Sequence, residues 1–301
     1  MATTSATRML SSTRTRSSLG ARMKFGIVLF TSDRGITPAT CAKAAEHAGF
    51  HSFYVPEHTH IPVRRDAAHP RTGTADLPDD RYLRTLDPWV ALAMAAAVTT
   101  TIRLGTAVAL PVESDPITLA KTIATLDFLS GGRVTLGAGF GWNTDELADH
   151  GIPGKFRYTA LREYVEAMRA LWTEDVASYE GRFVNFGDSW AYPKPVQRHL
   201  PVLAGATGTE RTLTWIAANA DGWLTNPAET ELDDQIKLLN KHWQAAGREN
   251  KPYIVALGGR ADPARVEHLA SLGVDEVVIG LPDTDEDAVL AFIAKMGDRL
   301  M

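Results

Sequence analysis

The chain has 301 residues, of which 45% are hydrophobic and 22% charged, enough to bury the core of one large domain or two medium ones. A net charge of −5 and a pI near 6.0 argue against a broad nucleic-acid footprint. No run of 18 uninterrupted apolar residues occurs, which argues against a membrane span. The single cysteine, Cys41, excludes an internal disulfide and fits a reducing cytoplasm.

Residues 1–22, MATTSATRMLSSTRTRSSLGAR, carry Arg8, Arg14, Arg16 and Arg22 and no acidic residue. That composition suits an organelle transit peptide or an over-extended start with Met23 as the natural first residue. The second reading is preferred, because the regular pattern begins at Lys24. The segment is expected to be a disordered extension without function, leaving residues 23–301 as one domain.

From Lys24 onward, short β-rich runs alternate with helical stretches. The predicted strands are 25–30, 52–55, 102–109, 133–138, 200–205, 221–225, 253–258 and 276–280, each bounded by Gly, Pro or Asp. Thr37-Pro38, Asp87-Pro88 and Asp115-Pro116 each place a capping side chain before a proline at the first helical position. Gly49, Gly131 and Gly273 follow helical runs as expected left-handed C-caps. Cys41 falls in the first helix and reads as a small core residue. Eight strands alternating with eight helices, without a linker, predict an α/β fold that closes into a (β/α)8 barrel, with an open doubly wound sheet as the alternative.

Two insertions break the spacing. Residues 57–86 follow the second strand and are far longer than an ordinary βα loop, which makes them a candidate lid over the catalytic face. Residues 175–198 precede the fifth strand, read as a hairpin with a proline-rich return, and are expected only to brace the barrel or an oligomer contact.

In such a barrel the chemistry lies just after each strand. The second strand delivers Glu57, His58 and His60. His58 has the intrinsic chemistry for proton transfer, and Glu57 could tune it or bind polar cofactor groups. His58-x-His60 also admits a zinc reading, for which Asp283 is the only extra ligand at hand, so no metal is expected. After the fifth strand, Ala206, Thr207, Gly208 and Thr209 precede a helix, where small residues and a helix N-terminus favour an anion. The fourth strand runs into LGAGFGW, residues 136–142. Its alternating Gly137, Gly139 and Gly141 suggest a dinucleotide fingerprint, but Trp142 occupies the place of the required third glycine, and the first-strand context is missing. The alternation is instead expected to thin the strand end so that a flat ring can approach the backbone, with Gly139 and Trp142 as pocket walls.

The segments SFYVPEH, DPWVALAMAAAVTTTIRLGTAV, DPITLAKTIATLDFLSGGRVTLGAGFGWNTDEL, RALWTE, PKPVQ and ADGWL spread over nearly all of residues 23–298. Together they resemble the luciferase-like monooxygenase superfamily, and within it the oxidoreductases that use the deazaflavin coenzyme F420. The resemblance implies a (β/α)8 barrel with a deazaflavin or flavin ring across its C-terminal mouth. It implies a non-prolyl cis peptide after the third strand, mapping to Ala107–Val108 and followed by Ala109, behind the ring. It assigns the phosphate to residues 206–209 and places Glu57 and His58 near the reactive edge. Several deazaflavin enzymes have a carboxylate acid and an Asn after the fourth strand. Trp142 and Asp145 stand at those positions here, which leaves His58 as the better proton donor.

The implied activity is hydride transfer between F420 and a small organic substrate. An FMN-dependent monooxygenase using oxygen, a non-catalytic flavin-binding protein and a metallohydrolase are the alternatives. Arg64, Arg65, His69, Arg71 and Tyr82 of the lid are expected to influence the substrate, and the protein is expected to be a cytoplasmic homodimer.

Overall fold

The computed structural model describes residues 23–226, 228, 231–258 and 262–301. The extension 1–22 lies outside these. Eight parallel strands close a barrel: β1 (Lys24–Val28), β2 (Ser52–Val55), β3 (Arg103–Thr106), β4 (Val134–Gly139), β7 (Val202–Gly205), β8 (Gly222–Thr225), β9 (Tyr253–Leu257) and β10 (Glu276–Gly280). Each pairs with its neighbour in sequence around the ring, and β1 closes it against β10. The closed topology removes the open-sheet alternative. The remaining strands, β5 (Ala177–Glu180) and β6 (Asn185–Ser189), form the antiparallel hairpin expected within 175–198.

The outer helices are α1 (Pro38–His47), α2 (Pro88–Val98), α3 (Pro116–Ser130), α4 (Thr144–Asp149), α5 (Arg157–Thr173), α6 (Glu210–Asn219), α7 (Leu232–Ala245), α8 (Pro263–Ser271) and α9 (Glu286–Leu300). The sequence pattern predicts eight; α4 is the addition, two turns of TDELAD wedged between β4 and α5. Punctuation sets the starts. Thr37, Asp87 and Asp115 accept hydrogen bonds from the N–H groups of Thr40, Val90 and Thr118, and each is followed by proline. Gly49, Gly131 and Gly273 have φ of 87°, 72° and 86°, the left-handed geometry expected of them. Cys41 is fully buried on the inner face of α1, and burial pushes its thiol up to about 12, as an inert core residue requires.

Tyr54, Leu203, Leu224, Val255 and Val278 pack together as a buried cluster of strand residues, separate from the large core that the helices cover. Glu276, at the start of β10, is buried and hydrogen-bonded by Ser52 and by the Tyr253 hydroxyl at 3.0 Å. That floor lies at the N-terminal ends of the strands, where barrel residues serve stability.

Strand β3 departs from the expected 102–109. It breaks after Thr106, the Ala107–Val108 peptide is cis as the resemblance implies, and Ala109 rejoins the sheet through a bridge to Ala138. The glycines of β4 serve this bulge. A Cβ on Gly137 would lie 1.9 Å from the Thr106 carbonyl oxygen. One on Gly139 would lie 2.5 Å from the Val108 side chain, and one on Gly205 of β7 would lie 2.3 Å from the same side chain. The room left by Gly139 and Gly205 is therefore taken by Val108. This corrects the expectation of direct ring-to-backbone approach: the glycines admit a valine that the barrel itself supplies.

Candidate active site

Pro56 ends β2, and the next two residues take different directions. The Glu57 N–H donates to the Val108 carbonyl at 3.0 Å, and its carboxylate accepts from the Leu110 N–H at 2.6 Å. Glu57 thus buckles the 107–110 bulge from within the protein. Burial pushes its carboxyl up to about 7; the Leu110 bond opposes this, and the Asp87 and Glu146 charges add to it. A carboxyl raised in the folded state contributes stability that is complete below its unfolded pKa and is lost as pH rises through about 7. Glu57→Gln keeps an acceptor for Leu110 and removes that loss. The variant is expected to be more stable than the parent at alkaline pH by up to about 3 kcal/mol, with no gain near pH 4. Parallel pH–stability curves for the two proteins would contradict this.

His58 points the other way, its side chain 7% exposed, with Nδ1 2.9 Å from Oε2 of Glu146, whose own side chain is wholly buried. Glu146 comes from α4 and also accepts from the Thr59 N–H at 3.0 Å and the Asn143 amide at 3.3 Å. Behind it stands Glu113, within hydrogen-bonding reach of Glu146 and accepting from the Thr59 hydroxyl at 3.2 Å. Burial, together with the charges of Glu146 and Glu57, raises the Glu113 carboxyl well above the carboxylate range. Burial also pushes Glu146 up, but the His58 bond and charge outweigh it, and its carboxyl lies below the usual value. Two buried carboxyls in contact cannot both ionise, so the pair keeps one proton on Glu113 and presents the charge of Glu146 to His58. An anionic Glu146 makes His58 Nδ1 the donor and leaves Nε2 without a protein partner among the described residues.

Sequence reasoning missed Glu113, Asn143 and Glu146. They sit in the stretches VESDP (112–116) and NTDE (143–146), and only the short helix α4 turns Glu146 toward the segment after the second strand.

The lid closes over His58. Tyr82 lies 5.5 Å from the His58 ring and Trp142 lies 5.8 Å from it, while His69 stands edge-on to Trp142 at 4.7 Å and bonds the Tyr82 hydroxyl at 3.1 Å. Phe30, after β1, completes the cluster against Tyr82 at 4.9 Å. Of the expected lid residues, His69 and Tyr82 face the site, Arg65 bonds the Pro62 carbonyl within the lid, and Arg64 and Arg71 are exposed. Asp145 fastens the lid by accepting from the N–H groups of Asp66 and Ala67, both at 2.9 Å. Asp145→Ala is expected to speed amide exchange across residues 60–80 severalfold and to leave the barrel strands protected, because only a local anchor is lost.

The turn after β7 is braced by the Trp223 indole, which donates to the Ala206 carbonyl at 2.9 Å. Thr209 caps α6, and its hydroxyl is spent in a reciprocal box with Thr212. Anion-binding capacity there rests on the N–H groups of Glu210 and Arg211, which have no intrahelical acceptor, and on the Thr207 hydroxyl. The residues of the zinc alternative are kept apart: His58 bonds Glu146, His60 bonds Asp149 at 3.0 Å and Asp283 pairs with Arg81 at 3.3 Å. Among the described residues no group of three His, Cys, Asp or Glu side chains is arranged to hold a metal ion, and no helix is long and apolar enough to cross a membrane.

The sequence and fold match known proteins. The chain is 62% identical over 278 residues to an uncharacterized protein of Mycobacterium tuberculosis, covering 92% of this chain and 99% of the relative. Its fold is similar to that of a monooxygenase, RslO1, from Streptomyces bottropensis, with TM-score 0.71, 22% identity and coverage of 92% and 98%. It is also similar to the coenzyme F420 dependent tetrahydromethanopterin reductase of Methanopyrus kandleri, with TM-score 0.68, 21% identity and the same coverage. The luciferase-like monooxygenase family model matches residues 23–270, which span the barrel from β1 into α8, and the chain belongs to that family.

Proposed function

We propose that this protein is an oxidoreductase that transfers a hydride between coenzyme F420 and a small organic substrate, with His58 giving or taking the accompanying proton. The observation that carries this reading is the buried His58–Glu146 pair under an aromatic lid, with Nε2 of His58 unpartnered among the described residues. The residues fit a tricyclic ring with an anionic side chain. Val108, seated between Gly139 and Gly205, offers an apolar support, Trp142 a wall, and the 206–209 turn a helix N-terminus.

A bound deazaflavin supplies the hydride-exchanging carbon. The chain supplies the rest. The lid excludes water, Glu57 and Leu110 fix the bulge, and Glu146 orients the imidazole so that Nε2 handles the proton. The reading is tested by titrating the purified protein with F420 and with FMN and following fluorescence. Binding of F420 in preference to FMN is expected. Submicromolar binding of FMN alone would favour the second reading, a flavin monooxygenase, which the fold shared with RslO1 supports.

We also propose that the protein works as a homodimer. Val90, Met94 and Val98 line α2 at four-residue spacing and are 65%, 52% and 41% exposed, and Ile117, Phe128 and Leu129 are exposed on the adjacent α3. A helix apolar all round is one that a partner covers. Sedimentation equilibrium is expected to give twice the chain mass, and Met94→Lys to give the monomer.

A further inference from the structure

The lid carries a hydrogen-bond donor whose direction is fixed by its neighbours. His69 is buried, and its Nδ1 lies 3.1 Å from the Arg71 backbone nitrogen. A backbone N–H can only donate, so Nδ1 accepts and carries no proton. Burial, with the charges of Arg71, His58 and Arg65, lowers the pKa of this imidazole and keeps it neutral near pH 7. A neutral ring without a proton on Nδ1 carries it on Nε2, which lies 3.1 Å from the Tyr82 hydroxyl. His69 is therefore the donor in that bond and Tyr82 the acceptor. The hydroxyl hydrogen of Tyr82 is left over, with no acceptor among the described residues.

The position of Tyr82 is held as firmly as its hydroxyl. The residue sits on a single turn, Asp80–Leu83, capped by Asp79, which accepts from the Arg81 N–H at 3.0 Å. Arg81 pairs with Asp79 at 2.8 Å and with Asp283, after β10, at 3.3 Å, while Arg84 pairs with Asp33, after β1, at 2.7 Å. The turn is thus tied to two loops of the barrel mouth. The Tyr82 ring packs against Phe30, His69 and His58, with centroids 4.9, 5.1 and 5.5 Å away. Within this aromatic cluster two polar groups lack a protein partner among the described residues, the Tyr82 O–H and Nε2 of His58.

We propose that Tyr82 and His58 hold one substrate oxygen between them, with His69 as the positioning residue that aims the Tyr82 hydroxyl. The substrate class is then a carbonyl compound, or the corresponding alcohol, with a flat apolar body that suits Phe30 and Trp142. In the direction of reduction the hydride of the reduced coenzyme goes to the carbonyl carbon and the His58 proton to the oxygen. Tyr82 keeps its own proton and stabilises the charge that develops on that oxygen. The hydride and the proton rest on the function proposed above; the direction of the hydroxyl rests on the hydrogen bonds alone.

The His69 tautomer is read by nitrogen NMR of the full-length protein labelled at histidine, with His69→Gln identifying the signal. Nδ1 is expected to be the unprotonated nitrogen and Nε2 the protonated one. A proton on Nδ1 would overturn the proposal, because Tyr82 would then spend its hydrogen on His69.

The oxygen site is tested with acetophenone and α-methylstyrene, which differ only in C=O against C=CH2, titrated by ligand-observed NMR. The parent is expected to bind the ketone about tenfold more tightly than the alkene. Tyr82→Phe and His69→Leu are expected to lose most of that preference at unchanged alkene affinity, which a general loosening of the lid would not leave. His69→Gln is expected to restore it, because its amide can accept from Arg71 and donate to Tyr82. Absent or equal binding of the two probes by the parent, or an undiminished preference in Tyr82→Phe, would overturn the proposal. Neither measurement needs a cofactor. Ketone preference in a protein that fails to bind F420 keeps the oxygen site and rejects the F420 reading, and the reverse result keeps F420 and rejects the site.

Discussion

Replacing His58 with alanine is expected to lower turnover by about 10²- to 10⁴-fold while leaving cofactor affinity close to that of the parent. The side chain stands at the mouth with Nε2 unpartnered among the described residues, and it holds none of the backbone that would grip a phosphate. The same substitution has a structural cost. Glu146 is wholly buried, and losing the imidazole donor leaves its carboxylate with the Thr59 N–H and the Asn143 amide, a loss of about 1–3 kcal/mol while it stays ionised. The sign of its pH dependence is fixed. In the parent the Glu146 carboxyl lies below its usual value, so its stabilisation is present above the unfolded pKa and fades as pH falls through the folded one. In the variant the His58 contribution is gone and burial pushes the carboxyl upward. The stability gap between the two proteins is therefore expected to be small near about pH 4 and wide near about pH 7. His58→Asn separates the two roles, because its amide can donate to Glu146 as Nδ1 does but cannot relay a proton. It is expected to recover much of the stability and none of the turnover. Full turnover in either variant would remove His58 from the chemistry.

Gly137→Ala is expected to prevent the barrel from closing, with a loss of at least about 4 kcal/mol and insoluble expression. The added Cβ would lie 1.9 Å from the Thr106 carbonyl oxygen, and backbone cannot swing aside as a side-chain tip can. Relief by strand separation would also break the two bonds that the Thr106 hydroxyl makes with Gly137, to its carbonyl at 2.8 Å and its N–H at 3.0 Å. Gly139→Ala differs in kind. Its clash is with the Val108 side chain, so adding Val108→Ala is expected to restore most of the lost melting temperature, whereas no such second change rescues Gly137→Ala. A soluble Gly137→Ala protein with parental melting temperature would refute the close approach of β3 and β4.

Much of the fold was legible in the sequence because its signals are local. A cap followed by proline, as at Thr37-Pro38 or Asp115-Pro116, starts a helix wherever it occurs, and a glycine such as Gly131 ends one. Short apolar runs between those marks can only be strands, and their alternation with helices leads to the barrel. The site was legible in part. His58 was found because it follows a strand, and the lid because 57–86 is too long for an ordinary connection. Glu113 and Glu146 were missed because nothing near them in sequence marks them: one lies on a single helical turn after the bulge, the other on a six-residue helix. Gly139 was noticed for the right reason, the space around it, but what fills that space is Val108 of the bulge after β3.

The sequence by itself determined the order of the barrel strands and the starts of the capped helices, since each follows from backbone preferences and periodicity within a few residues. The tertiary structure alone decided which carboxylate meets His58, which of two buried glutamates keeps the proton and which side chain occupies the gap left by the glycines. Those outcomes depend on distances between residues as far apart as 58 and 146, and on burial, which gives a carboxyl its charge or its proton only once the surrounding chain has removed the water.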